Sequence, residues 1–254
     1  MRGIRISKIK TLGIVAASIA FATPAFADGN IESALSNPMR EQADIARDEN
    51  RKPAELIKFM ETGSGDAVLD LMSGGGYYTE VLSGVVGSEG KVVAHVSDFT
   101  NGRTNNALIN HVAEEERMEN VEVMTADLND LQLEENQFDA IYMVLGFHDF
   151  YYVDDDWKQV EISQVLHELH EALKPGGSIV VVDHAAAADA SDDPEQGPHS
   201  RIGKSVMLRD FLAAGFKFAA EADFLENPED DGTRDMFDPT IRGETNRYIV
   251  KFAK

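Results

Sequence analysis

The chain has 254 residues, 43% of them hydrophobic, which is enough for one large domain with a full core. Its formal net charge of −22 argues against nucleic acid as a partner, because binding a polyanion requires a basic surface. The absence of cysteine excludes disulfides, thiol nucleophiles and thiolate metal sites.

The first 27 residues have the pattern of an export signal. Four basic residues within the first ten precede an apolar run over residues 12–22, which is short for a membrane span. Residues 25–27 (Ala-Phe-Ala) have the small-x-small form of a cleavage site, so cleavage leaves Asp28 first. We therefore predict a signal peptide over residues 1–27 and an exported, periplasmic mature domain over residues 28–254, with no stable membrane insertion after cleavage.

Apolar runs alternate with helical patterns along the mature chain. Helices are predicted over residues 43–60, Tyr77–Val86 and residues 157–173. Strands are predicted over Ala67–Leu71, Lys91–Val96, Val121–Thr125 and residues 140–145, 178–183, 218–224 and 248–252. This alternation predicts an α/β fold with a mostly parallel sheet and helices on both of its faces.

The turn after the first predicted strand is the most informative segment. Within the sequence AVLDLMSGGGYYTE, the strand carries Asp70 near its end, and three glycines at 74–76 precede the predicted helix. Glycine lets the backbone turn tightly and approach a ligand closely. Strand, glycine turn and helix form the nucleotide pocket of open α/β sheets, although an ordinary strand-to-helix turn has the same residues.

Four motifs in order resemble the class I S-adenosylmethionine-dependent methyltransferases, over roughly residues 52–254. VLDLMSGGG is similar to the first cofactor motif of that family, and residues 125–128 (TADL) to the segment after its third strand. Residues 138–141 (FDAI) and LHELHEALKPGGSIVVVDH are similar to its fourth-strand start and its fifth-strand region. The chain is also similar to a bacterial group of exported proteins predicted to be methyltransferases, through ARDENRKPAEL, GGGYYTE, GFHDF, VVDHAA and FDPTIRGETNRYIVKF.

The resemblance implies a single Rossmann-like methyltransferase domain with a mostly parallel seven-stranded sheet and an antiparallel terminal strand. It implies S-adenosylmethionine as cofactor and transfer of its methyl group to a small-molecule or other acceptor that the sequence does not name. The residues that it assigns to cofactor binding are Asp70, Ser73, Gly74, Gly75, Gly76, Asp98, Asp127 and Leu128.

Two positions depart from the family pattern. Met72 stands where the first glycine of the cofactor motif is usual. Val96 stands where the second strand usually ends in an acid that holds the ribose hydroxyls, and Asp98 follows two residues later. Hydroxyls without an acceptor would weaken cofactor binding by about 1–3 kcal/mol. We therefore expect Asp98 to replace the usual acid.

The candidate catalytic residues follow the fourth and fifth predicted strands, because sheets of this kind bind ligands at the carboxyl ends of their strands. Methyl transfer depends mainly on positioning, and an oxygen or nitrogen nucleophile also needs a proton removed. Adjacent residues of an extended segment point to opposite faces, so each His/Asp pair is expected to place one member in the cleft. The candidates beyond these strands are His148, Asp149, Asp183, His184, His199 and Arg201, and Arg242 is a further candidate from a later loop.

Residues 226–245 connect the last two predicted strands and are far more numerous than a hairpin requires. We predict that this segment is a lid or rim over the acceptor pocket. Arg242 would then pair with an acid near the pocket or hold an anionic acceptor. The alternative is a packed surface loop in which Arg242 forms an exposed ion pair.

Two other functions compete with methyl transfer. His148, Asp149, Asp183, His184 and His199 offer a nitrogen and oxygen donor set for a metal-dependent enzyme, although no spacing such as H-E-x-x-H supports a metal site. The other is an exported binding or sensor protein that keeps the methyltransferase fold without turnover. Export favours it, because the methyl donor is made in the cytosol and a charged zwitterion crosses a bilayer poorly.

Overall fold

The computed structural model describes residues 28–114, 118–152, 157–187, 190 and 200–254. The predicted signal peptide and the candidate His199 lie outside these described residues. Within them, none of the helices combines the length and the apolar character that crossing a bilayer requires.

Seven strands form one sheet. They are β1 (Ala67–Leu71), β2 (Lys91–Val96), β3 (Val121–Thr125), β4 (Phe138–Val144), β5 (Leu173–His184), β6 (Lys217–Ala222) and β7 (Arg247–Ala253). Their spatial order is β3-β2-β1-β4-β5-β7-β6. β1 to β5 pair in parallel, and β7 runs antiparallel between β5 and β6. The mostly parallel seven-stranded sheet with an antiparallel terminal strand is thus confirmed.

Helices cover both faces of the sheet, as predicted. They are α1 (Asp28–Leu35), α2 (Gln42–Ile45), α3 (Asp48–Arg51), α4 (Pro53–Met60), α5 (Tyr77–Val86), α6 (Asp98–Thr104), α7 (Ala107–Glu114), α8 (Ile162–Ala172) and α9 (Lys204–Ala213). Alternate residues of β1 enter opposite cores: Val68 packs with α4 and α5, and Leu69 packs with α8 and α9. Both faces of the central strands are therefore buried, which explains their continuous apolar runs.

The single helix predicted over residues 43–60 is wrong. The structure has three short helices there, α2, α3 and α4. Lys52 adopts a left-handed backbone with φ +44° and separates α3 from α4. Pro53 explains the break, because proline disfavours the helical conformation of the residue before it and is well suited to begin a helix.

The helix predicted over residues 157–173 is shorter than expected and begins at Ile162. The Lys-Pro-Gly-Gly segment that follows, residues 174–177, lies within β5 as a bulge. Leu173 pairs with Phe138 of β4, and the next aligned pair is Ser178 with Ala140. The four residues of this segment thus lie opposite one residue of β4, which makes an excess of three in β5.

The chain reverses direction across the sheet at β1, which pairs with β2 on one side and with β4 on the other. The segment that follows β1 therefore opens at a switch point of the sheet, where ligands bind in folds of this kind. The ends of β4 and β5 lie at the same edge, because these strands run parallel to β1.

Candidate functional site

The glycine turn, residues 72–76, joins β1 to α5. Met72, Gly74 and Gly76 have φ angles of +58°, +58° and +91°. Met72 thus adopts the left-handed conformation at the position where the family usually has glycine. A Cβ atom added at Gly74 or Gly75 would meet no atom within 4 Å, whereas one at Gly76 would approach Leu108 to 2.7 Å. The space over Gly74 and Gly75 is open to a ligand.

A buried histidine on β2, which the sequence analysis did not single out, anchors this turn. The Nδ1 atom of His95 lies 3.3 Å from the Met72 amide nitrogen, and its Nε2 atom lies 3.1 Å from the Ala126 carbonyl oxygen. The His95 carbonyl accepts hydrogen bonds from the amide and the hydroxyl of Ser73, both 2.9 Å. Burial lowers the pKa of His95 to about 4, so the ring is neutral and can accept from Met72 while donating to Ala126.

Asp70 links the strand before the glycine turn to the helix after it. Its side chain is buried and accepts a 2.6 Å hydrogen bond from the Thr79 hydroxyl on α5. Burial raises the pKa of Asp70 to about 7, despite that hydrogen bond and the nearby charge of Arg51. The carboxyl group therefore joins the strand to the helix that follows the turn.

A cavity of about 580 Å³ opens beside the ends of β2 and β3. It contains three of the predicted cofactor residues, Asp98, Asp127 and Leu128, together with Phe99 and Trp157. The two aromatic rings meet edge to face, with centroids 4.9 Å apart. Flat apolar walls with a few carboxylates suit a nucleoside, whose base packs on rings and whose amino and hydroxyl groups donate hydrogen bonds.

Asp98 is placed to take over the role of the missing acid. β2 ends at buried Val96, and Ser97 caps α6 by accepting a 3.2 Å hydrogen bond from the Thr100 amide. Asp98 is the first residue of α6 and lines the cavity. The cavity therefore contains a carboxylate, although it does not come from the last residue of the strand.

Asp127 follows β3 and already has two partners. One carboxylate oxygen accepts a 3.0 Å hydrogen bond from the Asn129 amide, and the other accepts a 2.6 Å bond from the exposed Lys158 ammonium group. The hydrogen bond from Lys158 lowers the pKa of Asp127. A ligand amino group at Asp127 would therefore have to share the carboxylate with Lys158 or displace it.

The candidates after β4 and β5 form a buried ion pair. His148 Nδ1 lies 2.7 Å from an oxygen of Asp183, whose other oxygen accepts from the His148 amide at 2.9 Å. Burial disfavours the charged imidazole, but the Asp183 carboxylate outweighs it and raises the pKa of His148 to about 9. His148 Nε2 lies 3.5 Å from the carboxylate of Asp149, which is partly exposed and whose pKa burial raises.

His184 is neutral, in contrast to the protonated His148 beside it. Its ring centre lies 5.6 Å from that of His148, and its Nδ1 atom lies 2.6 Å from the Thr245 hydroxyl. Burial lowers the pKa of His184 to about 3, so the ring is neutral at neutral pH. Asp183 and His184, which are the last two residues of β5, thus make separate contacts, Asp183 with His148 and His184 with Thr245.

The indole of Trp157 connects the cavity to these residues, because its Nε1 atom donates a 2.9 Å hydrogen bond to the Asp149 carbonyl. The candidate cofactor residues and the histidine pair therefore form one continuous region. Among the described residues, no group of three or more His, Asp or Glu side chains is arranged to hold a metal ion. His199, part of the proposed metal set, lies outside that part of the chain.

Residues 226–245 lie at the carboxyl end of β5. Asp230 forms a buried ion pair with Arg201 at 2.9 Å, and a Cβ atom at Gly232 would come within 2.6 Å of the Ala187 amide nitrogen. Arg242 is exposed, with its guanidinium 5.8 Å from the centre of the exposed Phe237 ring. The segment is therefore near His184, while Arg242 itself is at the surface.

Comparison with known proteins agrees with this geometry. Residues 68–177 match a family model described as a methyltransferase domain. A demethylmenaquinone methyltransferase from Bacillus mycoides is 30% identical over 130 residues, which are 51% of this chain and 49% of that protein. The chain thus spans about half the length of the curated relatives it matches.

Solved structures extend the similarity to most of the chain. A SAM-dependent methyltransferase from Aquifex aeolicus aligns with a TM-score of 0.59 and 22% identity, covering 89% of this chain and 98% of that one. Fibrillarin from Aeropyrum pernix, solved with natively bound S-adenosyl-L-methionine, aligns with a TM-score of 0.51 and 14% identity, covering 80% and 74%.

The fold is therefore that of the class I S-adenosylmethionine-dependent methyltransferases. Residues 68–177, which match the methyltransferase-domain model, contain the glycine turn, the cavity edge and His148. The bound S-adenosyl-L-methionine is that of the fibrillarin structure.

Proposed function

We propose that the protein is an S-adenosylmethionine-dependent methyltransferase that acts after export, on an acceptor held at the ends of β4 and β5. One observation carries the proposal. The open glycine turn, the cavity with its carboxylates and the His148–Asp183 pair lie at one edge of the sheet. The export signal in the first 27 residues supports the location.

The residues present fit the cofactor. The nucleoside would lie in the cavity, with Phe99 and Trp157 against the base and the carboxylates of Asp98 and Asp127 as hydrogen-bond acceptors. The rest of the molecule would pass over Gly74, where the backbone leaves room. When bound, S-adenosylmethionine supplies a methyl group whose carbon is activated for nucleophilic attack by the positive sulfur.

Asp149 is the candidate that can accept a proton from the acceptor. His148 is already protonated at neutral pH, because Asp183 holds its charge, so it is a poor base. Its Nε2 atom instead faces the Asp149 carboxylate at 3.5 Å. Burial raises the pKa of Asp149, which makes its carboxylate a stronger base than an ordinary aspartate. In this arrangement, Asp149 takes the proton from the acceptor, and His148 positions the Asp149 carboxylate.

The proposal is tested by binding and transfer in one experiment. The purified protein is titrated with S-adenosylmethionine by calorimetry and then incubated with the methyl-labelled cofactor and fractions of bacterial envelope extract. We expect binding and labelled product, and we expect Asp149→Asn to lose about 100-fold in transfer rate while its cofactor affinity stays within about threefold.

Each other outcome has a defined meaning. Cofactor binding without transfer to any fraction would favour the sensor function, because it separates the fold from the reaction. Absence of cofactor binding would contradict the proposal. A stoichiometric metal ion in the purified protein would favour the metal-dependent alternative, and its removal should then change the activity.

A further inference from the structure

Two arginines near the acceptor end of the site form no ion pair with the residues that the structure describes. Arg51 is the last residue of α3, and Arg247 is the first residue of β7. Within the part of the chain that the structure describes, neither guanidinium lies within ion-pair distance of a carboxylate. Arg201, which is as buried as Arg247, is by contrast paired with Asp230 at 2.9 Å.

The two arginines come from distant parts of the sequence and lie near each other. The Arg51 guanidinium lies 4.7 Å from the ring centre of Tyr77 and 5.9 Å from that of Tyr78, at the start of α5, and the Tyr78 hydroxyl donates a 3.0 Å hydrogen bond to the Arg51 carbonyl. Arg247 approaches the same region through Gly243, which lies beside Asn50, the residue before Arg51. A Cβ atom at Gly243, whose carbonyl accepts from Arg247, would lie 3.6 Å from Asn50.

Arg247 is only 7% exposed, and its hydrogen bonds do not neutralise it. Its Nε and Nη2 atoms donate to the carbonyls of Thr245 and Gly243, at 3.2 and 3.3 Å. A buried charge without a partner of opposite sign is costly, and burial accordingly lowers the pKa of Arg247. The guanidinium therefore favours any bound group that brings a negative charge.

The pair also adjoins the candidate catalytic residues. His184, whose ring centre is 5.6 Å from that of His148, is paired with Arg247 across β5 and β7. On the other side, the Arg51 guanidinium lies 4.7 Å from the ring centre of Tyr77, the residue that follows the glycine turn. The cationic groups thus lie between the glycine turn and the histidines, inside a chain whose net charge is −22.

We propose that Arg51 and Arg247 together bind an oxyanion, a carboxylate or a phosphate, carried by the methyl acceptor. Two planar guanidinium groups present parallel N–H donors that match the oxygens of such a group. The inference rests on the proposed function, because it names the chemical class of the acceptor at that same site. The carboxylate of the cofactor has the same chemistry, so the experiment must separate the two sources.

The test uses the purified protein saturated with S-adenosylhomocysteine and titrated with inorganic phosphate and with acetate. We expect at least one anion to bind, and Arg51→Met and Arg247→Met each to weaken its affinity by about tenfold or more. Arg247→Lys keeps the charge and should retain part of the affinity, which guards against a variant that merely folds poorly. Arg209→Met removes an exposed arginine on α9 and should change nothing.

Affinity for S-adenosylhomocysteine should stay within about threefold in both variants if the arginines serve the acceptor. The proposal is overturned if that affinity falls while affinity for decarboxylated S-adenosylmethionine does not, since the site then holds the cofactor carboxylate. The proposal is also overturned if neither anion binds, or if both arginine substitutions leave the affinity for the anion unchanged. If the wild type fails to bind S-adenosylhomocysteine, the methyltransferase proposal fails. Titration of the ligand-free protein with the same anions then still tests whether Arg51 and Arg247 bind an oxyanion.

Discussion

At the residue scale, Gly74 combines a left-handed backbone with open space above it. A Cβ atom there meets no atom within 4 Å, so we expect the main cost of a valine to the fold to be backbone strain of about 1–2 kcal/mol. Its side chain would occupy the space that we assign to the cofactor. We therefore expect Gly74→Val to remain folded and to lose cofactor binding, measured by calorimetry and by urea unfolding.

Gly65 provides a matched control for this substitution. It has φ +87° and equally open surroundings, but it precedes β1 at the opposite end of the strand. Gly65→Val should cost a similar free energy of unfolding and leave cofactor affinity unchanged. If Gly74→Val binds the cofactor with unchanged affinity, the cofactor does not lie over the glycine turn.

His148 gives the molecule a pH dependence of defined sign. Its pKa in the folded protein, about 9, lies above the value of about 6.5 expected in the unfolded chain. The stability that it contributes is therefore complete below about pH 6.5 and is lost as the pH rises through 9. Between pH 6 and pH 10, the wild type should lose more unfolding free energy than His148→Gln, as measured in urea.

The exposed His167 serves as the control for that comparison. His167→Gln should follow the wild type at both pH values. If His148→Gln also follows the wild type, then the ion pair with Asp183 does not form in solution as the structure shows it. His95 and His184 contribute in the opposite direction, because their pKa values are lowered and their stabilisation is lost as the pH falls below about 6.5.

The site residues recognisable in the sequence were those with a local signal. Gly74, Asp98 and Asp127 each follow a strand within three residues, so the chain order places them at one sheet edge, and Gly74 and Asp127 also fall within a family motif. His95 offered no such signal beyond being a polar residue within an apolar strand. Its partners at Met72 and Ala126 belong to two other strand ends, which only the folded sheet brings together.

At the element scale, a buried ion pair is the charged contact that joins residues 226–245 to the rest of the domain, beside hydrogen bonds such as that of Thr245 with His184. Arg201 and Asp230 have no exposed side-chain surface, so removing one leaves the other charged and buried. Asp230→Ala should lower the unfolding free energy by about 3–5 kcal/mol. It should also speed proteolytic cleavage within residues 226–245, which mass spectrometry of the fragments would show.

Glu221→Ala removes one partner of the exposed Lys204–Glu221 ion pair and is the matched control. It should change the unfolding free energy by less than about 1 kcal/mol. If Asp230→Ala has an equally small effect, the segment is anchored by other contacts. The prediction that this segment covers the acceptor would then rest on its position alone.

The elements that the sequence predicted best are the strands of the parallel sheet. β1, β2 and β3 have the predicted bounds, because each is an apolar run between turn residues. The predicted helix over residues 43–60 failed because its helical periodicity continues across Lys52, where the proline that follows breaks it. The sequence did not predict that Arg51 and Arg247 lie near each other, because neither belongs to a motif that indicates its spatial neighbour.

At the scale of the whole molecule, the proposed location requires that the first 27 residues are removed on export. We expect expression of the full chain in a bacterium to yield periplasmic protein whose first residue is Asp28, as read by mass spectrometry of the intact protein. Ala27→Leu places a large residue at the cleavage site and should leave the precursor uncut. Full-length protein found only in the cytosol would refute export.

Because β7 lies between β5 and β6, the sheet cannot be completed until the last strand has been synthesised. During synthesis β6 leaves the ribosome before β7, and among the described strands β7 is the one with which it pairs. Until β7 arrives, the outer edge of β5 and the whole of β6 therefore lack the partner strand that the finished sheet gives them. Such non-local pairing slows folding, and slow closure would favour the proposed export, because a chain must be unfolded to be threaded across a membrane.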